Sequence, residues 1–173
     1  MQEEARLERV SLFENLTPEE KAELETLLEP AAFADGETIL EEGDPEGRLY
    51  VLASGAAEVS KEVSPGRKQH LATVEAPTVV GEIGLITELR ATATVLAKGA
   101  VEARRIPREA FLEKLEAGSE AAYKVAYEIG RILAERMFQT DESIAKVVAQ
   151  LEDAGSERDF AVFRDKLMQE WSF

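Results

Sequence analysis

Cysteine is absent from this chain, and histidine and tryptophan occur once each. Without a thiol there is no disulfide, no cysteine nucleophile and no thiolate to bind zinc or an iron–sulfur cluster. The single imidazole, His70, follows the turn Pro65-Gly66-Arg67-Lys68-Gln69 and reads as a solvated side chain. No run approaches the roughly 20 apolar residues of a membrane span. The opening MQEEARLER is too charged for a signal peptide, so a cytoplasmic location and no membrane partner are expected. Basic residues are also scarce: 20 Lys and Arg stand against 35 Asp and Glu, a formal charge of −15. Polyphosphate binding rests on basic patches, and the cluster Arg104, Arg105 and Arg108 is too small to reverse that balance. A nucleic-acid partner is therefore not expected. The chain also lacks a Walker loop, a nucleophile elbow, a histidine-rich metal motif and an obvious paired acid and base, so it does not read as an enzyme.

What remains is an ordinary globular composition, 45% hydrophobic and 32% charged over 173 residues. That length suits one domain with a helical appendage. Residues 3–14 have the spacing of a short amphipathic helix. Thr17, Pro18 and Glu20 form a capping box with proline at the first helical position, which predicts a second helix with Ala22, Leu24, Leu27 and Leu28 on its apolar side and Pro30 at its end. Asn15-Leu16-Thr17 reads as part of that cap rather than as a glycosylation acceptor.

Between Ala31 and Ile106 the pattern changes to short runs of Val, Ile, Leu, Thr and Ala. Strands are predicted at 38–40, 50–53, 56–62, 71–74, 78–80, 92–97 and 101–106. Breakers separate them at Asp35-Gly36, at 43–47, and at Ser54-Gly55, Pro65-Gly66 and Lys98-Gly99. Many short strands at this spacing predict a small antiparallel β-barrel or jelly roll with flanking helices, an α+β chain that is mainly β. Helical period returns at Pro107. Ala117-Gly118 ends that helix and Ser119 caps a long one running to Asp153, along which Leu133, Met137, Thr140, Ile144, Val147 and Leu151 step by three and four. Ser156 and Asp159 cap a terminal helix with Phe160, Phe163, Leu167 and Trp171 on one stripe, expected to dock on its own domain. The expected division is N-terminal helices at 1–30, a β-barrel core at 31–118, and a lid, dimerisation and terminal-helix segment at 119–173.

Two stretches carry the functional signal. The first runs from Phe33 through Gly43-Asp44 to Tyr50-Val51 and Gly55. The second is Val80-Gly81-Glu82-Ile83-Gly84-Leu85-Ile86, followed by Arg90-Ala91-Thr92-Ala93-Thr94-Val95. Their order and spacing over residues 10–150 closely resemble the cyclic nucleotide-binding domain superfamily, in its stand-alone form without a winged helix. The chemistry suits such a ligand. A guanidinium matches phosphate oxygens, a carboxylate accepts from a ribose hydroxyl, and glycines admit backbone N–H groups to an anion. The resemblance implies that Glu82 holds the ribose 2′-hydroxyl and that Arg90 pairs with the phosphate. Gly81, Ile83, Gly84, Leu85, Ala91 and Thr92 would line the same cassette. It further implies a base lid on the long helix, with Tyr123, Tyr127 and Arg131 as candidates.

One departure bears on this expectation. The family's arginine usually stands two residues before Ala-Thr, a register that falls on Ala91, with Arg90 one position early. Two functions are therefore expected. The first is a non-enzymatic sensor binding cyclic AMP or cyclic GMP, with no cofactor, signalling through its C-terminal helices. The alternative is a degenerate domain of the same fold that serves as a dimerisation or protein-interaction scaffold. Either expectation includes a homodimer through the long helix and, with no output domain evident, a separate effector protein.

Overall fold

A computed structural model describes residues 10–153. The stretch predicted as a helix over 3–14 lies largely outside them, and its described end is a single 3-10 turn, Ser11–Phe13. The stripe Phe160, Phe163, Leu167 and Trp171 also lies outside the described residues. The chain divides into two compact units, Met1–Ile129 and Gly130–Phe173.

In the first unit, helix α1 (Pro18–Glu25) starts on the capping box: Thr17 Oγ1 accepts from the Glu20 N–H, and the Glu20 carboxylate accepts from the Thr17 N–H at 2.8 Å. The helix ends at Glu25, with Thr26 as its C-cap, so Leu27 and Leu28 lie beyond it rather than on its apolar side. The cause is strand β1 (Glu29–Phe33), which the pattern of residues 26–33 does not announce. β1 pairs antiparallel with β6 (Thr94–Pro107) from Glu29↔Arg105 to Phe33↔Val101. Its Pro30 is tolerated because β1 is a terminal strand. Arg105 bonds the Glu29 carboxylate across this pair, which raises its already high pKa and staples the edge.

The other strands are β2 (Thr38–Leu40), β3 (Arg48–Ser64), β4 (Arg67–Glu75) and β5 (Thr78–Val80). Together they form one antiparallel sheet in the order β1-β6-β3-β4, with β2 on β6 and β5 on β3. The breakers at Ser54-Gly55 and Lys98-Gly99 bend strands instead of ending them. β3 continues through Gly55 with register shifts against β6 between Leu52 and Ala56. Gly55 has φ +86°, and a Cβ there would strike the Ala100 carbonyl and Val101. Only glycine fits, and it lets the strand turn a corner without losing its ladder. Pro65-Gly66 does break the chain, but the turn is only these two residues, between Ser64 and Arg67, and residues 67–70, read as turn and its sequel from sequence, already belong to β4.

The sheet surrounds a core of Ile39, Leu40, Tyr50, Leu52, Ala57, Val80, Val95, Ala97, Val101 and Ala103, with Phe33 edge-on to Tyr50. After β6 come α3 (Arg108–Glu116), which buries Phe111, and α4 (Glu120–Asp153). Ser119 caps α4 through its hydroxyl, which accepts from the Ala122 N–H at 3.1 Å. The start of α4 buries Ala121, Ala122, Val125 and Ile129, and is tied to the N-terminal segment by two polar contacts. Asn15 Nδ2 donates to Glu128 at 3.0 Å, and Lys124 pairs with Glu20 at 2.6 Å. In the second unit, the described part of α4 leaves Met137 and Phe138 exposed and Leu133 and Ile144 half-buried. No described helix is long and apolar enough to cross a membrane.

A glycine-seated cassette after strand β5

Strand β5 delivers the chain to Gly81, whose φ of +85° lies in the left-handed region that disfavours a side chain. A Cβ here would also collide with the Arg48 carbonyl and come within 2.9 Å of Leu40 Cδ1. The chain therefore turns tightly against the start of β3 and enters helix α2 (Glu82–Ile86) at once. Gly84 seats this helix. A Cβ on Gly84 would come within 3.0 Å of Gly47 Cα, and one on Gly47 would run into the Gly84 carbonyl. The two glycines thus bring α2 down onto the loop between β2 and β3. Leu85 is fully buried, and Ile83 is half-buried.

Glu82 is the unusual member. It is only 3% exposed, and glutamate is seldom buried without a role or a partner. Its position in the first turn of α2 sets a carboxylate where backbone N–H groups gather. At the other end of α2 the Ile83 carbonyl accepts from both the Thr87 N–H (3.1 Å) and the Thr87 hydroxyl (2.7 Å). Thr87 Oγ1 accepts in turn from the Leu89 N–H at 3.1 Å, which orders the short loop that follows.

Residues 90–94 then run beside residues 42–44. The Gly43 N–H donates to the Ala91 carbonyl at 2.8 Å, and the Ala91 N–H donates to the Asp44 carbonyl at 2.9 Å. Arg90 Nη1 donates to the Gly43 carbonyl at 3.0 Å. Buried Thr94 accepts from the Glu42 N–H at 3.2 Å. The Gly43-Asp44 turn and the Arg90-Ala91 segment are thus zipped together by main chain. The Arg90 guanidinium reaches back to that turn while the residue as a whole stays exposed. Asp44 and Glu46 both pair with Arg48, fixing the remainder of the loop.

Of the residues singled out from sequence, Gly81 through Leu85 form one continuous element, and Arg90 and Ala91 sit on the adjoining loop. Thr92 is exposed. The three lid candidates separate. Tyr123 and Tyr127 stand one turn apart on α4 in the first unit, 57% and 71% exposed. Arg131 belongs to the second unit, where it pairs with Glu135 at 2.5 Å. Asp44 stands in the first of the two stretches singled out from sequence and Gly47 only in the breaker at 43–47; the structure gives each a part in the site, Gly47 seating Gly84 and the Asp44 carbonyl accepting from the Ala91 N–H. The glycine-rich breaker at 43–47 signals both in retrospect, because a loop needing two glycines so close together is shaped by what packs on it.

An antiparallel sheet whose tight glycine turn feeds a one-turn helix bearing a buried carboxylate has the architecture of a jelly-roll domain. The chain belongs to the cyclic nucleotide-binding domain family, whose profile matches residues 30–117. It is 32% identical over 112 residues to a cAMP-dependent protein kinase regulatory subunit of Blastocladiella emersonii, a match that takes in 65% of this chain and 28% of that protein. The chain thus spans less than a third of that relative's length. Among solved structures, the N-terminal domain of a transcriptional regulator from Streptomyces coelicolor A3(2) is 30% identical, with a TM-score of 0.63 over 80% of this chain and 94% of that one. A cyclic nucleotide-binding domain from Methylobacillus flagellatus superposes with a TM-score of 0.72 over 84% and 82% at 22% identity, a likeness of fold.

Proposed function

We propose that the chain is a sensor module that binds a cyclic purine nucleotide at the Gly81–Ala91 cassette. The observation that carries this reading is the buried Glu82 on a one-turn helix seated by two glycines, a preorganised acceptor for a ribose hydroxyl. The kinship with a cAMP-dependent regulatory subunit favours cyclic AMP over cyclic GMP. In this reading Arg90 exchanges the Gly43 carbonyl for a phosphate oxygen, a charge-assisted bond that replaces a neutral acceptor. Tyr123 or Tyr127 supplies a flat face for the base. The module is non-enzymatic, acts in the cytoplasm, self-associates through the face of α4 that carries Leu133, Met137 and Ile144, and passes its signal through the C-terminal helices to a separate effector protein.

A second reading has its own support. The Ala91 N–H already donates to Asp44, the arginine register is occupied by Ala91, and Arg90 is spent on the loop. A domain of this kind with no working phosphate site would serve as a scaffold. Calorimetric titration separates the two. The sensor reading expects cyclic AMP to bind the native chain and Arg90→Ala to weaken it by about 30-fold or more. The scaffold reading expects no heat from the native chain and binding created by Ala91→Arg.

A further inference from the structure

The guanidinium of Arg108, the first residue of α3, is poorly provided for. Its Nε is buried with no hydrogen-bond partner. Arg108 also forms no ion pair among the described residues, although the chain carries a formal charge of −15. A buried donor left unmet is costly, and native proteins leave few of them. The placement of Arg108 follows from the ladder. β3 and β6 pair through Leu49↔Ile106 and Arg48↔Pro107, so the next residues outward, Gly47 and Arg108, come side by side. The Arg108 N–H donates to the Gly47 carbonyl at 3.2 Å.

An acceptor stands just across Gly47. A Cβ on that glycine would lie 2.4 Å from the Gly84 carbonyl oxygen and 2.8 Å from Arg108 Cδ, so the arginine stem and the carbonyl border the same gap. The Gly84 carbonyl belongs to the last turn of α2. A further turn of helix would bring it the Glu88 N–H, but Thr87 is extended (φ −127°, ψ 169°) and its own N–H goes to Ile83. An unmet donor on the helix that follows the barrel and an acceptor at a helix end in the cassette thus approach one point from two elements. We propose that Arg108 is a positioning residue of the cassette. When a nucleotide phosphate docks there, the Arg108 Nε–H donates to the Gly84 carbonyl, and this bond ties the occupied cassette to α3. The inference rests on the sensor reading above and names the residue through which occupancy first reaches a C-terminal helix.

Arg108→Met keeps the apolar stem and removes the donor. Without ligand this variant of the full chain should melt within about 2 °C of the native chain, because it breaks no side-chain hydrogen bond. It should nonetheless bind cyclic AMP roughly tenfold more weakly by calorimetry, since the bond it lacks is made only with nucleotide in place. Arg108→Lys keeps the cation but has no Nε donor, and should be weakened as much. In the native chain, nuclear magnetic resonance of the Arg108 Nε–H should show its exchange with solvent slowing roughly tenfold once cyclic AMP is added. Native affinity in Arg108→Met, full recovery in Arg108→Lys, or an exchange rate that bound cyclic AMP leaves unchanged would each overturn the inference while the sensor reading stands. No binding of cyclic AMP or cyclic GMP to the native chain would overturn both.

Discussion

The cassette and the β3–β4 ribbon both depend on glycine turns, yet for opposite physical reasons. In the cassette, Gly81 and Gly84 are demanded by backbone pressing on them from Arg48 and Gly47. In the ribbon, Gly66 has the same left-handed conformation as Gly81, but a Cβ there would meet nothing within 4 Å. One glycine is required by its neighbours and the other only by its own torsion. The difference teaches where this molecule is rigid by construction: the loops that hold Glu82 and Arg90 are packed shapes, whereas the ribbon is a local hairpin presented to solvent.

The comparison can be broken most sharply at Gly81. Gly81→Ala combines a disfavoured φ with a backbone clash and should cost about 2–4 kcal/mol, lowering the melting temperature by roughly 5–15 °C and disabling the cassette. Glu82→Ala comes next, tested by affinity. Loss of a charge-assisted acceptor should weaken cyclic nucleotide binding by roughly 10-fold to 100-fold in a calorimetric titration. Gly66→Ala sharpens the contrast from the other side. Only the torsional term applies, about 1 kcal/mol, so melting should shift by a few degrees and nucleotide affinity should stay unchanged.

The smallest expected effect lies away from both regions. The Lys124 ammonium holds the Glu20 carboxyl below its usual value of 4.5, so the folded pKa is depressed. Stability from this pair is therefore present above that value and fades as pH falls through the lowered one. The difference in melting temperature between the native chain and Glu20→Gln should accordingly shrink on acidification below about pH 4.5. A difference independent of pH would remove the ion pair from the account.

Local chemistry was readable in the residues themselves. The capping box at Thr17, the chain break at Pro65-Gly66, strands β2 and β5, and the long helix from Ser119 to Asp153 all follow from nearest-neighbour rules. The cassette was readable as well, because its glycines and carboxylate stand in one unbroken stretch. What could not be read depends on partners far away in sequence. Strand β1 carries a proline and little β character, and it exists because β6 offers it an edge. Gly55 resembles a turn until the Ala100 carbonyl, which excludes any side chain there, is in place. The hydrogen bond from Ala91 to Asp44 joins residues 47 apart, and only the folded chain reveals that this N–H is already engaged.

The central claim is that this cassette binds a cyclic nucleotide, and a thermal-shift titration with cyclic AMP, cyclic GMP and 5′-AMP tests it most directly. At 100 times its dissociation constant, a ligand of the native state stabilises by roughly 2.7 kcal/mol, which for a chain of this size raises the melting temperature by about 5–10 °C. The account predicts that rise with a cyclic nucleotide and none with 5′-AMP. A melting temperature unmoved by every cyclic nucleotide at millimolar concentration would contradict it.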